Sequence, residues 1–194
     1  MGAIVQAKQD AVAAVVEEGS GNQYLTFLLA GELFAIPILN IKEIIEYGSL
    51  TTVPMMPTFI RGVINLRGGV VPVVDLSVRF GRKSTDITRR TCIVIIEVES
   101  ADETGFAVMR SNSQKQDVGV VVDTVNAVLE IPSTEIEPPP SFGARIRADF
   151  IHGMGKVASK FVIILDVNRV LSVEEMAALG QAGGTATLSA PVPI

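Results

Sequence analysis

The side chains that could do chemistry are few and lie far apart in the sequence. The 194 residues contain one histidine, His152, one cysteine, Cys92, and no tryptophan. A zinc site built from histidines or from four cysteines needs more ligands of that kind, and a single cysteine cannot form a disulfide within the chain. Glu97 and Glu99 alternate along one apolar segment, which is typical of a solvated strand face and not of an acid and base pair. We therefore expect no catalytic residue, metal ligand or cofactor.

Two glycine-containing stretches match only part of a nucleotide-binding motif. Gly68 and Gly69 could form a phosphate-binding turn, yet neither a Lys-Ser or Lys-Thr pair nor a helix pattern follows them. Residues 153–158 fit the loose dinucleotide pattern, but a strand pattern follows where a helix is needed. Gly68-Gly69 is predicted instead to be a turn between two strands, where a positive φ favours glycine.

The densest charge in the chain is a basic segment. Five cations fall within twelve positions, opposed only by Asp86, namely Arg79, Arg82, Lys83, Arg89 and Arg90. The whole chain is nevertheless acidic, with 16 Lys and Arg against 21 Asp and Glu, and this argues against a nucleic-acid binder. The segment is either a solvated loop, which is the simpler interpretation, or a docking site for an acidic partner.

Composition and the terminal segments indicate a folded, cytosolic module. The chain is 48% hydrophobic and 19% charged, which suits a packed core. Residues 1–23 carry charges where a secretory signal would be apolar, and the apolar stretch 24–39 is interrupted and shorter than the roughly 20 residues of a membrane span. We expect a flexible tail over 1–22, a folded domain over 23–179 and a disordered tail over 180–194.

Short β-branched runs between glycines and prolines predict an all-β protein. Strands are expected over residues 24–29, 33–36, 62–65, 70–74, 92–98, 105–109, 118–122 and 160–165. Helix is expected in two places only: a turn or two from Pro37 to Ile45, and a closing helix over 172–179 with Ser172 as its N-cap. Many short strands predict a sandwich or small barrels.

The chain also repeats itself. Residues 59–76 match residues 150–167 at an offset of 91, with Phe, Ile, Gly, Val and Asp identical at five positions. Residues 36–45 match 120–129 at an offset of 84, where apolar residues pair with apolar residues. Such a repeat predicts two similar small β-barrels packed against each other, because each is too small to be a comfortable domain alone.

The motifs of the first half resemble those of the CheW family of chemotaxis coupling proteins. The resemblance is carried by residues 33–38 (LFAIPI), 41–45 (IKEII) and 62–76 (GVINLRGGVVPVVDL), and in the second half by 118–125 and 150–153. It covers roughly residues 23–178. It implies two pseudo-symmetric five-stranded SH3-like barrels, with strand exchange between the repeated halves, short helices and a C-terminal helix.

The resemblance further implies a non-enzymatic adaptor in bacterial chemotaxis. Proteins of this family bridge the cytoplasmic tip of methyl-accepting chemoreceptors and the regulatory domain of the histidine kinase CheA, so the expected location is cytoplasmic, at receptor arrays. No nucleic acid and no direct membrane insertion are implied. Two alternatives remain open, a coupling protein of a non-flagellar chemosensory pathway and a small β-barrel ligand-binding protein or hydrolase.

Two sets of site residues follow from the resemblance. The receptor tip is expected in an apolar groove between the barrels, at positions matching Ile41, Glu43, Ile44, Ile45, Val122 and Val125. The kinase and array interface is expected at Gly62, Asn65, Arg67 and Gly68. The repeat places Ala158 where the first half has Arg67, so the fold does not require this arginine. We therefore expect Arg67 to order a hydrogen-bond network at a partner surface.

Overall fold

The computed structural model describes residues 23–100, 114–139 and 146–172. The first-half strands are β1 (Gln23–Leu29), β2 (Glu32–Pro37), β3 (Ile41–Glu46), β4 (Ile60–Leu66) and β5 (Gly69–Asp75). The later strands are β6 (Cys92–Ser100), β7 (Gln114–Val122), β8 (Thr124–Glu130), β9 (Ile136–Glu137), β10 (Ile151–Val157) and β11 (Lys160–Leu165). One-turn helices α1 (Leu76–Arg79) and α2 (Val167–Val170) follow β5 and β11, and short 3₁₀ turns occupy Ile38–Asn40, Ser133–Glu135 and Ala148–Phe150.

The strands form two sheets, and each sheet contains a pair of strands from the other half of the chain. The sheet with order β3-β6-β7-β5-β4, here called the first barrel, combines first-half strands with the β6–β7 hairpin. The sheet with order β8-β1-β2-β11-β10-β9, the second barrel, combines second-half strands with the β1–β2 hairpin. This arrangement is the SH3-like two-barrel fold that the resemblance implied.

The sheet pairing follows both repeat offsets. In the first barrel β5 runs parallel to β7, with Val73 opposite Gly119. In the second barrel β11 runs parallel to β2, with Ile164 opposite Ala35. Ile164 is Val73 shifted by 91, and Ala35 is Gly119 shifted by 84. The two barrels therefore share one pairing scheme, and the pseudo-symmetry extends to individual residue pairs.

A glycine at an equivalent bulge lets each barrel close. Gly62 has a φ of +150°, and a Cβ there would lie 2.5 Å from the carbonyl oxygen of Thr51, whose segment pairs with β4 to close the first barrel. In the second barrel, a Cβ on Gly153 would lie 3.0 Å from the carbonyl oxygen of Glu137 and 2.5 Å from the Ile136 side chain, both on the closing strand β9. Only glycine permits this close approach of two backbone segments.

Three apolar clusters fill the molecule. One fills each barrel, with Val73 and Ile95 in the first and Val162 and Ile164 in the second. The third and largest cluster, here called the shared core, lies between the sheets and takes residues from both. It contains a chain of phenylalanine rings with neighbouring centroids 5.7 to 6.1 Å apart, formed by Phe27, Phe34, Phe80 and Phe150. Most of the buried apolar residues in these clusters therefore lie between the two barrels, where their burial stabilises the packing of one barrel against the other.

The helical prediction from Pro37 to Ile45 is wrong beyond its first turn. Residues 38–40 form a 3₁₀ turn, and residues 41–46 form the strand β3. A bulge between Ile41 and Glu43 shifts the alternation of β3, so that Ile41 and Ile44 both reach the shared core. The bulge thus produces the three-residue spacing that resembles a helix face, while the β-branched isoleucines favour a strand.

Several expectations lie outside the described residues. These are the two tails, the strand over 105–109 and the closing helix, of which only Ser172 is described. Among the helices of the described part, none is long and apolar enough to cross a membrane.

Candidate partner-binding site

The turn between β4 and β5 places an arginine at an exposed tip. Leu66 pairs with Gly69, so the two turn residues are Arg67, with a φ of +50°, and Gly68, with a φ of +87°. The side-chain oxygen of Asn65 accepts a hydrogen bond from the Gly68 amide at 3.0 Å. The predicted positive φ is confirmed at Gly68, but the turn lies one residue earlier than Gly68-Gly69. Two positive φ values are typical of the tightest β-hairpin turns.

The corresponding turn in the second barrel forms without an arginine. Ala158 and Ser159 occupy it with φ values of +45° and +64°. An alanine therefore tolerates the backbone conformation that Arg67 adopts. The hairpin itself gives no reason for an arginine at this tip.

Arg67 forms an ion pair with the carboxylate of Glu43 on β3. The distance from Nη2 to Oε2 is 3.1 Å, and the side chains of Arg67 and Glu43 are 81% and 17% exposed. The repeat position of Glu43 is Ala127, just as that of Arg67 is Ala158. The first barrel thus carries a charged pair where the second barrel carries two alanines, so the barrel fold does not demand this pair.

This pair can order hydrogen-bond donors at the surface. Glu43 lies on β3 opposite Ile95 of β6, a strand paired on both sides, which fixes the carboxylate on a rigid element. A guanidinium has five N–H donors in a fixed plane, and the contact to Glu43 uses one of its nitrogens. The remaining donors belong to a side chain that is 81% exposed and that the ion pair already orients.

A second set of ion pairs stands beside Glu43 on the same strand. The Lys42 ammonium lies 2.7 Å from Asp117 and 2.9 Å from Glu97, and Lys115 lies 2.7 Å from Glu97. The bond to Asp117, followed by the bond to Glu97, raises the pKa of Lys42. The bonds from Lys115 and Lys42 lower the pKa of Glu97. These groups cross-link β3, β6 and β7 from outside, so Glu97 is an ion-pair partner on the sheet surface.

The structure places most of the expected receptor-binding residues inside the protein. Four of the six belong to the shared core and are at most 6% exposed, namely Ile41, Ile44, Val122 and Val125. They shape the surface from beneath and cannot contact a partner without a rearrangement. Ile45 is half-buried and packs against the cluster inside the first barrel. Of the six, Glu43 and Ile45 are the ones that the structure leaves partly accessible.

The expected kinase-interface residues divide in a similar way. Asn65, Arg67 and Gly68 lie together at the β4–β5 tip, where they define one surface. Gly62 is buried at the closure of the first barrel, four positions from Leu66 on β4. Its contribution to that surface can only be indirect, through the fold.

A buried carboxylate that the sequence did not single out organises the other end of β5. Asp75 is completely buried and caps α1 by accepting hydrogen bonds from the amides of Ser77 and Val78. Within the loop that follows α1, it accepts bonds from Ser84 and from both the amide and the hydroxyl of Thr85, at 2.9 to 3.0 Å. The guanidinium of Arg61 completes this set, here called the Asp75 cluster, at 2.9 Å.

The hydrogen bonds of the Asp75 cluster favour the charged form of the Asp75 carboxyl group. Burial raises the pKa of the carboxyl group, but the hydrogen bonds from Thr85, Ser84 and Arg61 outweigh it and hold the pKa below its ordinary value. The repeat counterpart, Asp166, accepts a hydrogen bond from the Arg169 amide, and its side chain is 32% exposed. The repeat could have identified Asp75 as an important residue, because an aspartate stands at this position in both halves of the chain.

The residues of possible chemical reactivity do not form a site. Cys92 is buried and donates to the Arg90 carbonyl at 3.3 Å, while His152 is exposed at the bulge of β10. Among the described residues, no group of three His, Cys, Asp or Glu side chains lies close enough to hold a metal ion. The arrangement at the β4–β5 tip presents charge and hydrogen-bond donors and is suited to binding a protein surface.

Comparison with known proteins identifies one family. The model of the CheW-like domain matches residues 23–175. The chain is 32% identical over 166 residues to the chemotaxis protein CheW of Klebsiella aerogenes, a match covering 86% of this chain and 91% of the relative. It is 34% identical over 149 residues to that of Helicobacter pylori, covering 77% and 81%. The crystal structure of the scaffolding protein TtCheW from Thermoanaerobacter tengcongensis superposes with a TM-score of 0.66 at 32% identity, covering 80% and 91%.

Proposed function

The chain belongs to the CheW-like family, and from this premise we propose that it couples methyl-accepting chemoreceptors to the regulatory domain of a CheA-type histidine kinase. The adaptor role in chemotaxis is the role of the family, and the relatives at 32% and 34% identity are named as chemotaxis proteins. The solved relative is described as a scaffolding protein, a role in which no bond is made or broken. These two partners imply action at the cytoplasmic tips of receptor arrays.

The ion pair between Glu43 and Arg67 is the observation that carries this proposal. Its arginine is exposed on a tight turn, its glutamate is held on the strand β3, and its two repeat positions are alanines. An exposed pair of this kind contributes only about 0–1 kcal/mol to stability, so stability does not explain its presence. A preoriented arginine is, in contrast, among the side chains that dominate protein interfaces. We assign the pair to partner binding, together with Asn65, Gly68 and the accessible part of Ile45.

Exposed apolar residues at equivalent places support docking of another barrel domain. Val70, opposite Asn65 in the β4–β5 hairpin, is 72% exposed, and Phe161, its counterpart at an offset of 91, is 57% exposed. The family resemblance implies that the regulatory domain of the kinase is itself a pair of such barrels. Equivalent apolar side chains on both barrels suit pseudo-symmetric pairing with a partner of that kind.

The test replaces the pair and measures binding and stability together. Arg67→Ala and Glu43→Ala are compared with His152→Ala, an exposed residue at the bulge of β10, for binding to a receptor cytoplasmic fragment and to a CheA regulatory domain. We expect both site variants to weaken ternary assembly by on the order of 30-fold, which corresponds to an interface hot spot of about 2 kcal/mol. The melting temperature should stay nearly unchanged, because Ala158 shows that the turn accepts alanine.

Two results would contradict the assignment. A large fall in melting temperature with unchanged binding would make the pair structural. If the unmodified protein retains neither partner at tens of micromolar, the coupling role itself is wrong, since weak signalling contacts are detectable in that range.

A further inference from the structure

The basic segment of the sequence is an ordered loop with unequal cations. It connects α1 to β6 over residues 81–91 and is here called the cationic loop. The preceding Arg79 lies over the rings of Phe59 and Phe150, 5.0 and 4.8 Å from their centroids, and therefore belongs to the shared core. Arg82 forms an ion pair with Glu32 of the second barrel. These two arginines join the barrels, so their charges are not counted among those that the loop offers to a partner.

The other three cations of the segment are exposed. Lys83, Arg89 and Arg90 form no ion pair with any residue in ranges 23–100, 114–139 and 146–172. In contrast, ion pairs are formed by Lys42, Lys115, Arg61, Arg67 and Arg82. Ile87, in the middle of the loop, is 46% exposed. The loop thus carries an exposed apolar side chain and three exposed cations that have no ion-pair partner in the described part of the chain.

The cationic loop is rigid although it has no regular secondary structure. Its first part is held by the Asp75 cluster through Ser84 and Thr85. Its last part is held by Thr91, whose hydroxyl accepts from the Thr88 amide at 2.9 Å and donates to the Asp86 carbonyl at 3.3 Å. A loop fixed at both ends by hydrogen bonds pays less conformational entropy when it binds. A merely solvated loop would not need this buried support.

A cavity lies beside the loop. It has a volume of about 330 Å³, and its wall includes Lys83 and Thr88 of the loop and Ala30 and Asp123 from the second barrel's strand ends. Asp86 also lines it, so the cavity carries both charges and does not favour a phosphate group. It is large enough for one or two inserted side chains.

We propose that the cationic loop is a docking surface for an acidic protein segment that carries an apolar side chain against Ile87. Lys83, Arg89 and Arg90 supply the charge complementarity, and the neighbouring cavity receives a side chain of the bound segment. Three cations on a chain with a net charge of −5 are too few for a nucleic acid or an anionic membrane, which bind extended positive surfaces. β5 separates this surface from Arg67 by seven residues, or roughly 20 Å, so the proposal does not rest on the function assigned to the Glu43 and Arg67 pair.

The test uses a synthetic acidic nonapeptide, acetyl-EELEELEEL-amide, titrated into the isotope-labelled full chain by NMR. A peptide with glutamine in place of every glutamate is the charge control. We expect amide shift changes concentrated in residues 81–91, weakening steeply as salt rises, and at least tenfold weaker binding for the glutamine peptide. The triple variant Lys83→Glu/Arg89→Glu/Arg90→Glu should also lose at least tenfold.

A matched control is built into the second barrel. Lys156 and Lys160 are exposed, form no ion pair within the described ranges and flank the exposed Phe161. Lys156→Glu/Lys160→Glu should leave peptide binding unchanged. Where charge reversal disturbs folding by circular dichroism, Arg89→Gln/Arg90→Gln replaces the triple variant. The proposal would be overturned if the peptide shifted the amides around Lys156 and Lys160 as much as those of the cationic loop, or if the glutamine peptide bound equally well. Tighter binding to a 20-nucleotide DNA strand or to anionic vesicles would also overturn it.

Discussion

Replacing Asp75 should cost far more stability than replacing Asp166, although both cap a one-turn helix at the same repeat position. Asp75→Ala removes a fully buried carboxylate and leaves the Arg61 guanidinium, only 22% exposed, without its partner. Breaking a buried ion pair in this way costs about 3–5 kcal/mol. Asp166→Ala removes an N-cap whose carboxylate is one-third exposed, which costs about 1 kcal/mol.

The difference is measurable by urea unfolding. Because the chain has no tryptophan, far-ultraviolet circular dichroism is the suitable signal. A loss of about 3–5 kcal/mol is a large part of the 5–15 kcal/mol that stabilises a typical domain, so Asp75→Ala should unfold at a much lower urea concentration with an unchanged slope. Equal losses for the two variants would refute the reasoning, because the cluster would then act only as a helix cap.

The pH dependence gives an independent check of the same cluster. The pKa of Asp75 is below its ordinary value of 3.8 in the folded protein. Its charge therefore adds stability that is complete above about pH 4 and is lost as the pH falls through the folded pKa. The difference in unfolding free energy between the unmodified protein and Asp75→Asn should be constant at neutral pH and should shrink in acid. A difference that grows in acid would mean that the neutral carboxyl is the form stabilised by folding.

Two further variants test barrel closure and the outer ion pairs. Gly62→Ala should lose at least about 2 kcal/mol in urea unfolding, because its Cβ would meet the Thr51 carbonyl and its φ is unfavourable for alanine. Gly48→Ala, which has open space around it, should change stability by less than about 0.5 kcal/mol, and equal losses would contradict the closure argument. Lys42→Met should lose only about 0–1 kcal/mol at low salt, since the ammonium is partly exposed. As the pKa of Lys42 is raised, this small contribution should be present at neutral pH and disappear above about pH 10.5, and a loss that persists there would assign it to packing.

The two-barrel fold is predictable from the sequence because the repeat encodes it twice. The β-branched runs predict most of the strands, and the paired glycines at 62 and 153 mark the same closure in both halves. The prediction failed at β3, where the sequence indicates a helical turn and the structure has a strand. Its bulge at Lys42 places Ile41 and Ile44 on one side, so the spacing indicates a helix until the pairing partner is known. Local patterns cannot reveal a bulge, because it is defined by the neighbouring strand.

The candidate site was only partly predictable for a related reason. Because turn chemistry is local, the sequence predicts a turn at Gly68-Gly69, one residue after the observed turn at Arg67 and Gly68. Burial depends on how the two barrels pack together, because Val122 of β7 and Val125 of β8 both enter the shared core, although a motif match presents them as surface residues. The Asp75 cluster joins Arg61 of β4 to Thr85, which lies 24 positions later in the chain. Thr85 belongs to a loop whose sequence has no periodicity. Contacts of this kind leave no pattern in a single sequence.

The pseudo-symmetry distinguishes residues that occur in both barrels from residues that occur in one barrel only. Both barrels keep the closing glycine and the capping aspartate, so these residues serve the fold. The pair of Glu43 and Arg67 exists in one barrel only, because the repeat positions are alanines. This pair and the cationic loop lie at opposite ends of β5, so two partners could occupy them without overlap. A protein that joins other proteins must offer separate surfaces on a rigid body, and the first barrel meets that geometric requirement while the shared core supplies the rigidity.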